Sequence, residues 1–434
     1  MIQDDEGRSS HSHSPHWSHQ HLKEELQAGD ESATSTEALQ IEEGAELAPP
    51  LGKRTAQQNS GHGGDSSSPI QLPTRAPILL PSLIIPFAIL GLLIRLGLVW
   101  IETFAGQQVF ALAWPQFIGC LLMGLFVSTR TWIERGFVEE KSATGNRCWI
   151  GSFVYVALSS GLCGSITTFS SWSLGMFVEL INPYKVGRHP LQNILSALAE
   201  LIVTLALSMT GLQLGAHLGE ATLTSARKAP PALTSLIPHD PQSNTTLPRP
   251  NPKPVLPPPH WTPLDAILII SCAAIWMGTL IAAIFTPETS RSSWRHVALG
   301  TCFAPLGAIL RWYLSRFNSR MKAFPVGTFA ANITGSLILA TIVCLQHTPT
   351  AGGKSPLACQ VLSGLQDGFC GCLTTISTFA LELRTLPRKA SYIYGVVSVV
   401  VAQLGMLVVL GTFVWTRRST DEDNNVYQHS MCSN

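Results

Sequence analysis

The chain has 434 residues, 46% of them hydrophobic and only 13% charged, with a formal net charge of +1. A soluble domain carries roughly 25% charged residues, so this composition excludes an ordinary soluble enzyme and points to a protein whose partner is the lipid bilayer. The near-zero net charge offers no attraction to nucleic acid, and none is expected as a partner.

Residues 1–76 are rich in Ser, His, Glu, Gln and Gly and lack apolar periodicity, which predicts a disordered cytoplasmic tail. The run of His11, His13, His16, His19 and His21 reads as low complexity rather than as a metal site. No apolar stretch in the tail resembles a cleaved signal peptide.

Apolar segments then follow at 78–101, 112–129, 150–179, 191–216, 264–285, 296–315, 324–346, 358–383 and 390–416. Measured against the roughly 20 residues needed to span a bilayer, they predict an all-α membrane protein of nine spans. Residues 77–216 form a first four-span unit and 296–416 a second. A Pro-rich cytoplasmic linker at 217–263 and one connecting span at 264–285 lie between them, and a short polar tail occupies 417–434. The ten cysteines are scattered without a CxxC pair, so no disulfide framework is expected.

The two units repeat each other. Gly91-x-x-x-Arg95 matches Gly307-x-x-x-Arg311, and Gln116 to Cys120 matches Asn332 to Ser336, both at an offset of 216. In the third span of each unit, Gly164-Ser165-Ile166-Thr167-Thr168-Phe169-Ser170-Ser171-Trp172 matches Gly371-Cys372-Leu373-Thr374-Thr375-Ile376-Ser377-Thr378-Phe379, at an offset of 207. A single connecting span between two four-span units inverts the second, so the halves are expected to be antiparallel. Lys and Arg are more than twice as numerous in the segments this places inside as in those outside. The positive-inside rule therefore sets the N-terminus in the cytosol and the C-terminus outside.

Hydroxyls and glycines in the middle of two corresponding apolar spans are the sequence pointer to a transport site. In hydrocarbon every backbone group must be bonded internally, so Gly164 to Ser171 and Gly371 to Thr378 should loosen the helix only where they face protein, an ion or water. Hydroxyl and amide donors without fixed charge suit a small anion that must also leave. The positive ring edge of Phe can face such an anion. No nucleophile–base pair or metal-ligand set lies in the spans, so an enzyme is not expected.

The pattern resembles the CrcB/Fluc-type fluoride channels, and the nine-span duplicated form is similar to the fungal and plant fluoride exporters (Fex). The residues that carry the resemblance are Gly307-x-x-x-Arg311, Gly327-Thr328-Phe329-Ala330-Ala331-Asn332-x-x-Gly335-Ser336, Gly371-x-x-Thr374-Thr375-x-Ser377-Thr378-Phe379 and Tyr394-x-x-x-Ser398, with weaker first-half copies, over about 78–416. It implies a passive fluoride channel of the plasma membrane that exports fluoride and confers resistance to it. The channel would work as a monomer with internal pseudo-two-fold symmetry around a central structural sodium ion. The carbonyls of Gly164, Thr167, Gly371 and Thr374 would hold that ion. The resemblance places fluoride against Asn332, Phe169 and Phe379, with Thr168, Ser170, Thr375, Ser377, Thr378 and Tyr394 as further polar lining.

The halves depart from symmetry in a sorted way. Gln116 stands for Asn332, Ile376 for Phe169 and Trp172 for Phe379. One working pathway and one degenerate pathway are expected. Arg95 and Arg311 are costly within a membrane. They lie near the ends of their spans, where snorkelling to an aqueous vestibule, anion attraction and helix anchoring are all open. Glu200, inside the fourth span, is the carboxylate that a proton-coupled transporter, the alternative class, would need.

Overall fold

A computed structural model of the chain describes residues 76–136, 150–183, 187–228, 263–286, 294–348 and 356–420. The expected N-terminal tail, most of the Pro-rich linker and most of the C-terminal tail lie outside the described residues.

Every regular element among these residues is helical. The first half comprises α1 (Ala76–Glu102), α2 (Ala113–Ser128), the short α3 (Arg130–Gly136), a third span in pieces, and α7 (Pro190–Lys228). The pieces are α4 (Ile150–Val156), a π-helical turn Ala157–Cys163, α5 (Gly164–Ile166) and α6 (Phe169–Ile181). The connecting helix is α8 (Pro263–Phe285). The second half comprises α9 (Trp294–Ser315), α10 (Val326–Gln346), a third span in pieces, and α14 (Arg388–Met406), which continues through a π-helical turn Leu407–Gly411 into α15 (Thr412–Thr420). Its pieces are α11 (Pro356–Gly364), a π-helical turn Leu365–Cys370, α12 (Gly371–Leu373) and α13 (Ser377–Thr385).

Seven of the described helical stretches are long and apolar enough to cross a membrane, and α2 is a shorter apolar helix of 16 residues. The second broken segment, α11 to α13, is divided between several short helices. α7 runs to Lys228, three turns beyond the predicted end of the fourth span. Residues 217–228 carry no proline, so nothing stops the helix before the Pro-rich stretch begins.

The first helices of the two halves meet in the centre. Ile84, Ala88 and Leu92 of α1 pack against Ala304 and Ala308 of α9, with Cys372 beneath them. α8 lies on α1 and α9, held in part by Trp276 Nε1 donating to the Cys302 carbonyl at 3.0 Å. Its other face leaves Ile267, Ile270, Met277, Ile281 and Ile284 exposed, as a lipid-facing helix should. α2 and α7 pack backbone to backbone. A Cβ on Gly211 would meet the Phe117 carbonyl at 2.6 Å, and Cβ atoms on Gly124, Gly215 and Gly219 would also collide with the facing helix. Small residues at such a seam are how helices associate without a hydrophobic driving force between them.

The broken spans exchange partners. α6 of the first half packs on α10 and α14 of the second, where Phe177 joins Ala340, Val343, Met406 and Leu410 in one buried cluster. α13 of the second half packs on α2 and α7 of the first. Seven cysteines among the described residues are free, whereas Cys359, in α11, is disulfide-bonded.

Candidate functional site

The two breaks are narrower than the sequence suggests. Thr167 and Thr168 are extended (φ −91°, ψ 151° and φ −143°, ψ 128°), as is Thr374 (φ −95°, ψ 155°). Three residues before each break the helix widens into its π-helical turn, a feature that concentrates at functional sites. Gly119 and Gly335 make room for the bends, since a Cβ on either would collide with the methyl group of Thr167 or Thr374 respectively.

Each break is capped by the other half. The Thr374 hydroxyl accepts from the backbone N–H groups of Phe169 at 3.1 Å and Ser170 at 3.0 Å, the first residues of α6. The Thr167 hydroxyl accepts from Ile376 at 3.2 Å and Ser377 at 3.0 Å, at the start of α13. A helix start has N–H groups without intrahelical partners, and here a residue more than 200 positions away satisfies them. The remaining hydroxyls join the same network. Thr168 lies 3.1 Å from Thr374, Ser170 3.0 Å from Thr374, Thr375 3.2 Å from Thr167 and Ser377 3.1 Å from Thr167. Thr378 contributes its backbone N–H to the Thr375 hydroxyl at 3.4 Å.

The arginines do not snorkel. Arg95 and Arg311 are each only 3% exposed. Arg95 donates to the carbonyl of Gly371 at 2.8 Å and to that of Asp367; Arg311 donates to Gly164 at 2.7 Å, to Thr374 at 3.3 Å, and to Cys372 and Ser160. Of the roles left open by the sequence, these contacts are those of an anchor. The carbonyls in and just after the two π-helical segments need donors, and a guanidinium is the side chain that offers several in one plane. The Gly-x-x-x-Arg motif acquires a reason. Gly91 lets α1 lie against Leu162 and Ser165 of its own break, while Arg95, one turn on, reaches the opposite one. Gly164 and Gly371 are glycines because a Cβ there would occupy the space of Arg311 and Arg95.

Asn332 uses both ends of its amide on the backbone of Thr375. Nδ2 donates to the carbonyl at 3.2 Å and Oδ1 accepts from the N–H at 2.9 Å, which leaves one Nδ2 hydrogen for another acceptor. Gln116, its counterpart, makes one such bond, to the Thr168 carbonyl at 2.7 Å, and its buried Oε1 has no hydrogen-bond partner. Phe169 and Phe379 come together from opposite halves, edge to face with centroids 5.5 Å apart. Phe379 also lies 5.2 Å from the buried ring of Tyr394. Ser398 lies one turn along α14, buried, with an unpartnered hydroxyl.

One group escaped the sequence reading. Glu382 is 8% exposed, and its carboxyl accepts from Thr328 Oγ1 at 2.5 Å, Asn318 Nδ2 at 3.0 Å and Tyr394 Oη at 2.7 Å. The signal was available: an acidic residue inside a predicted span is a functional suspect by default. Glu200 is likewise 8% exposed. It faces Gly175 within the protein, and its backbone carbonyl accepts from Trp172 Nε1 at 3.3 Å.

The carbonyls of Gly164 and Thr374, one from each half, converge on the same Arg311 nitrogen. Carbonyl oxygens are hard donors of the type a sodium ion takes, but a guanidinium already holds those of Gly164 and Thr374, and Arg95 holds that of Gly371. Each carbonyl has two lone pairs, so a guanidinium bond to one leaves the other available.

Comparison with known proteins agrees with this duplicated plan. Fluoride export protein 1 of Neurospora crassa is 31% identical over 377 residues, covering 77% of this chain and 66% of that protein. Fluoride export protein 1 of Candida albicans is 32% identical over 341 residues, covering 76% of this chain and 78% of its own length. The fluoride-specific ion channel FluC of Acinetobacter baylyi is 34% identical over 113 residues, which is 25% of this chain but 85% of the bacterial protein. No solved structure matches the chain. The model of the family described as CrcB-like protein, Camphor Resistance, matches twice, at residues 82–215 and 298–412. With both halves matched and the arginine, threonine and amide contacts repeated between them, the chain belongs to the CrcB-like protein family.

Proposed function

We propose that this protein is a passive, fluoride-selective channel that exports fluoride across the plasma membrane through one working pathway. The observation that carries the proposal is the meeting of Phe169 and Phe379 from opposite halves, with the buried ring of Tyr394 against Phe379. Positive ring edges and uncharged donors accommodate a small anion without trapping it. The names of the fungal and bacterial relatives, fluoride export protein and fluoride-specific ion channel, favour the same ion.

No coupling is needed. Hydrogen fluoride crosses lipid as the neutral acid and dissociates in a near-neutral cytosol. A negative-inside potential then drives the anion out by about 2.3 kcal/mol per 100 mV.

In this reading the chain works as a monomer of nine spans. The short α2 and the divided segment α11 to α13 complete the set begun by the seven longer helical stretches. The halves are antiparallel, the N-terminus is cytoplasmic and the C-terminus extracellular. The carbonyls of Gly164, Thr167, Gly371 and Thr374 would hold a structural sodium ion, which would supply a charge that draws the two breaks together. Asn332, the two phenylalanines and the hydroxyls meet the fluoride.

The test is fluoride efflux from liposomes read with a fluoride electrode. Asn332→Ala should reduce efflux to the rate of empty liposomes and Gln116→Ala should leave it within about twofold of wild type. The reverse pattern would sink the pathway assignment. Efflux that follows an imposed pH gradient would instead favour the proton-coupled class.

A further inference from the structure

The cage around Glu382 has no copy in the first half. At the same offset of 216, Thr328 corresponds to Leu112 and Asn318 to Glu102; at the offset of 207, Glu382 itself corresponds to Gly175. Tyr394, the third donor, corresponds to Glu200. Two observations set that equivalence. Tyr394 and Ser398 are spaced as Glu200 and Thr204 are, and both Ser398 and Thr204 present buried hydroxyls without partners. The residue that touches Tyr394, Phe379 with centroids 5.2 Å apart, is the counterpart of Trp172, which bonds the backbone of Glu200.

The first half has thus moved its carboxyl from the broken helix to the fourth span. A Cβ on Gly175 would collide with Glu200 Oε1, so the carboxyl fills the space that the missing side chain vacates. The second half surrounds its carboxyl with a threonine hydroxyl, an asparagine amide and a tyrosine hydroxyl. At those three positions the first half has Leu112, Glu102 and Glu200 itself, and Gly175 stands for the carboxyl. Arg188, just before the fourth span, is paired with Glu179 at 2.6 Å.

We propose that Glu200 shuts the first-half pathway to anions, its carboxyl standing over Gly175 where the other pathway has a tyrosine hydroxyl and a caged glutamate. The inference rests on the assignment of the working pathway to Asn332, Phe169 and Phe379. A caged carboxylate has its lone pairs directed at donors, and the donors' own positive ends offset its charge. The Glu200 carboxyl has no such donors among the described residues: ionised, it would repel an arriving anion where water is excluded, and neutral, it still fills the space over Gly175. Trp172 and Glu200 together then make a wall on one side of the molecule, while Phe379 and Tyr394 make a passage on the other.

The experiment is liposome fluoride efflux for five proteins: wild type, Phe169→Ile, the exchange Phe169→Ile/Ile376→Phe, and that exchange combined with either Glu200→Tyr or Glu200→Gln. Phe169→Ile copies the Ile376 of the degenerate pathway into the working one and should bring efflux to the empty-liposome rate. The exchange also gives the first-half pathway its missing phenylalanine, so Glu200 should still hold efflux at that rate. Glu200→Tyr in that background should raise efflux at least tenfold above it. Glu200→Gln, which removes any charge and keeps the shape, should raise it by a smaller factor. If both combined variants stay at the empty-liposome rate while eluting as single species with the melting temperature of the exchange variant, or if the exchange alone conducts while Phe169→Ile does not, the role of Glu200 is overturned and the pathway assignment stands. If Phe169→Ile alone retains wild-type efflux, the assignment fails and the proposal falls with it.

Discussion

Replacing Arg311 by lysine separates an anchor from an attractor. Lysine keeps the positive charge but is a point donor on a flexible stem, whereas the guanidinium fork of Arg311 spans carbonyls of both halves. Its Nη1 serves Gly164 at 2.7 Å, Thr374 at 3.3 Å and Cys372, and its Nη2 serves Ser160. An ammonium can reach one of these groups of acceptors and must abandon the other. Each buried carbonyl left without a donor costs about 1–3 kcal/mol, so losing two gives about 2–6 kcal/mol against a typical folding stability of about 5–15 kcal/mol. Arg311→Lys should therefore lower the unfolding midpoint in detergent strongly and reduce fluoride efflux at least tenfold. The flux loss should be the same at low and high ionic strength, because a buried hydrogen-bond defect is not screened. An arginine that merely attracted anions from a vestibule would behave differently. Lysine would substitute for it, and any deficit would change with salt. A lysine variant with wild-type melting and wild-type efflux would refute the anchoring argument.

Two further outcomes follow from the same contacts. Thr374→Val keeps the shape and removes the hydroxyl that caps α6, so it should destabilise by about 1–2 kcal/mol and slow efflux by misplacing Phe169, while Thr374→Ser should preserve both; melting curves and the electrode assay read this directly. If a sodium ion joins the carbonyls of the two breaks, exchanging sodium for N-methylglucamine on both sides should lower the unfolding midpoint as well as the flux. An unchanged midpoint would show that the two guanidiniums hold the breaks without a metal.

The sequence by itself determined the elements and their repetition. Apolar length sets the spans, because hydrocarbon demands an unbroken helix of a certain length whatever surrounds it. The paired glycine and threonine motifs announce the breaks, and their offsets announce the duplication. Even the inequality of the halves is visible in Phe169 against Ile376 and in Asn332 against Gln116.

What the sequence left open was which half each side chain serves. Arg95 is four residues from Gly91, yet it acts on Gly371; Thr374 lies inside its own break, yet it caps the helix beginning at Phe169. The Glu382 cage draws on Asn318, Thr328 and Tyr394 from three different elements, so no local pattern marks it. Periodicity and composition report what a segment must bury, a property of neighbouring residues. Hydrogen-bond partners at separations of more than 200 residues are set by how two similar halves cross, and that crossing exists only in the tertiary structure.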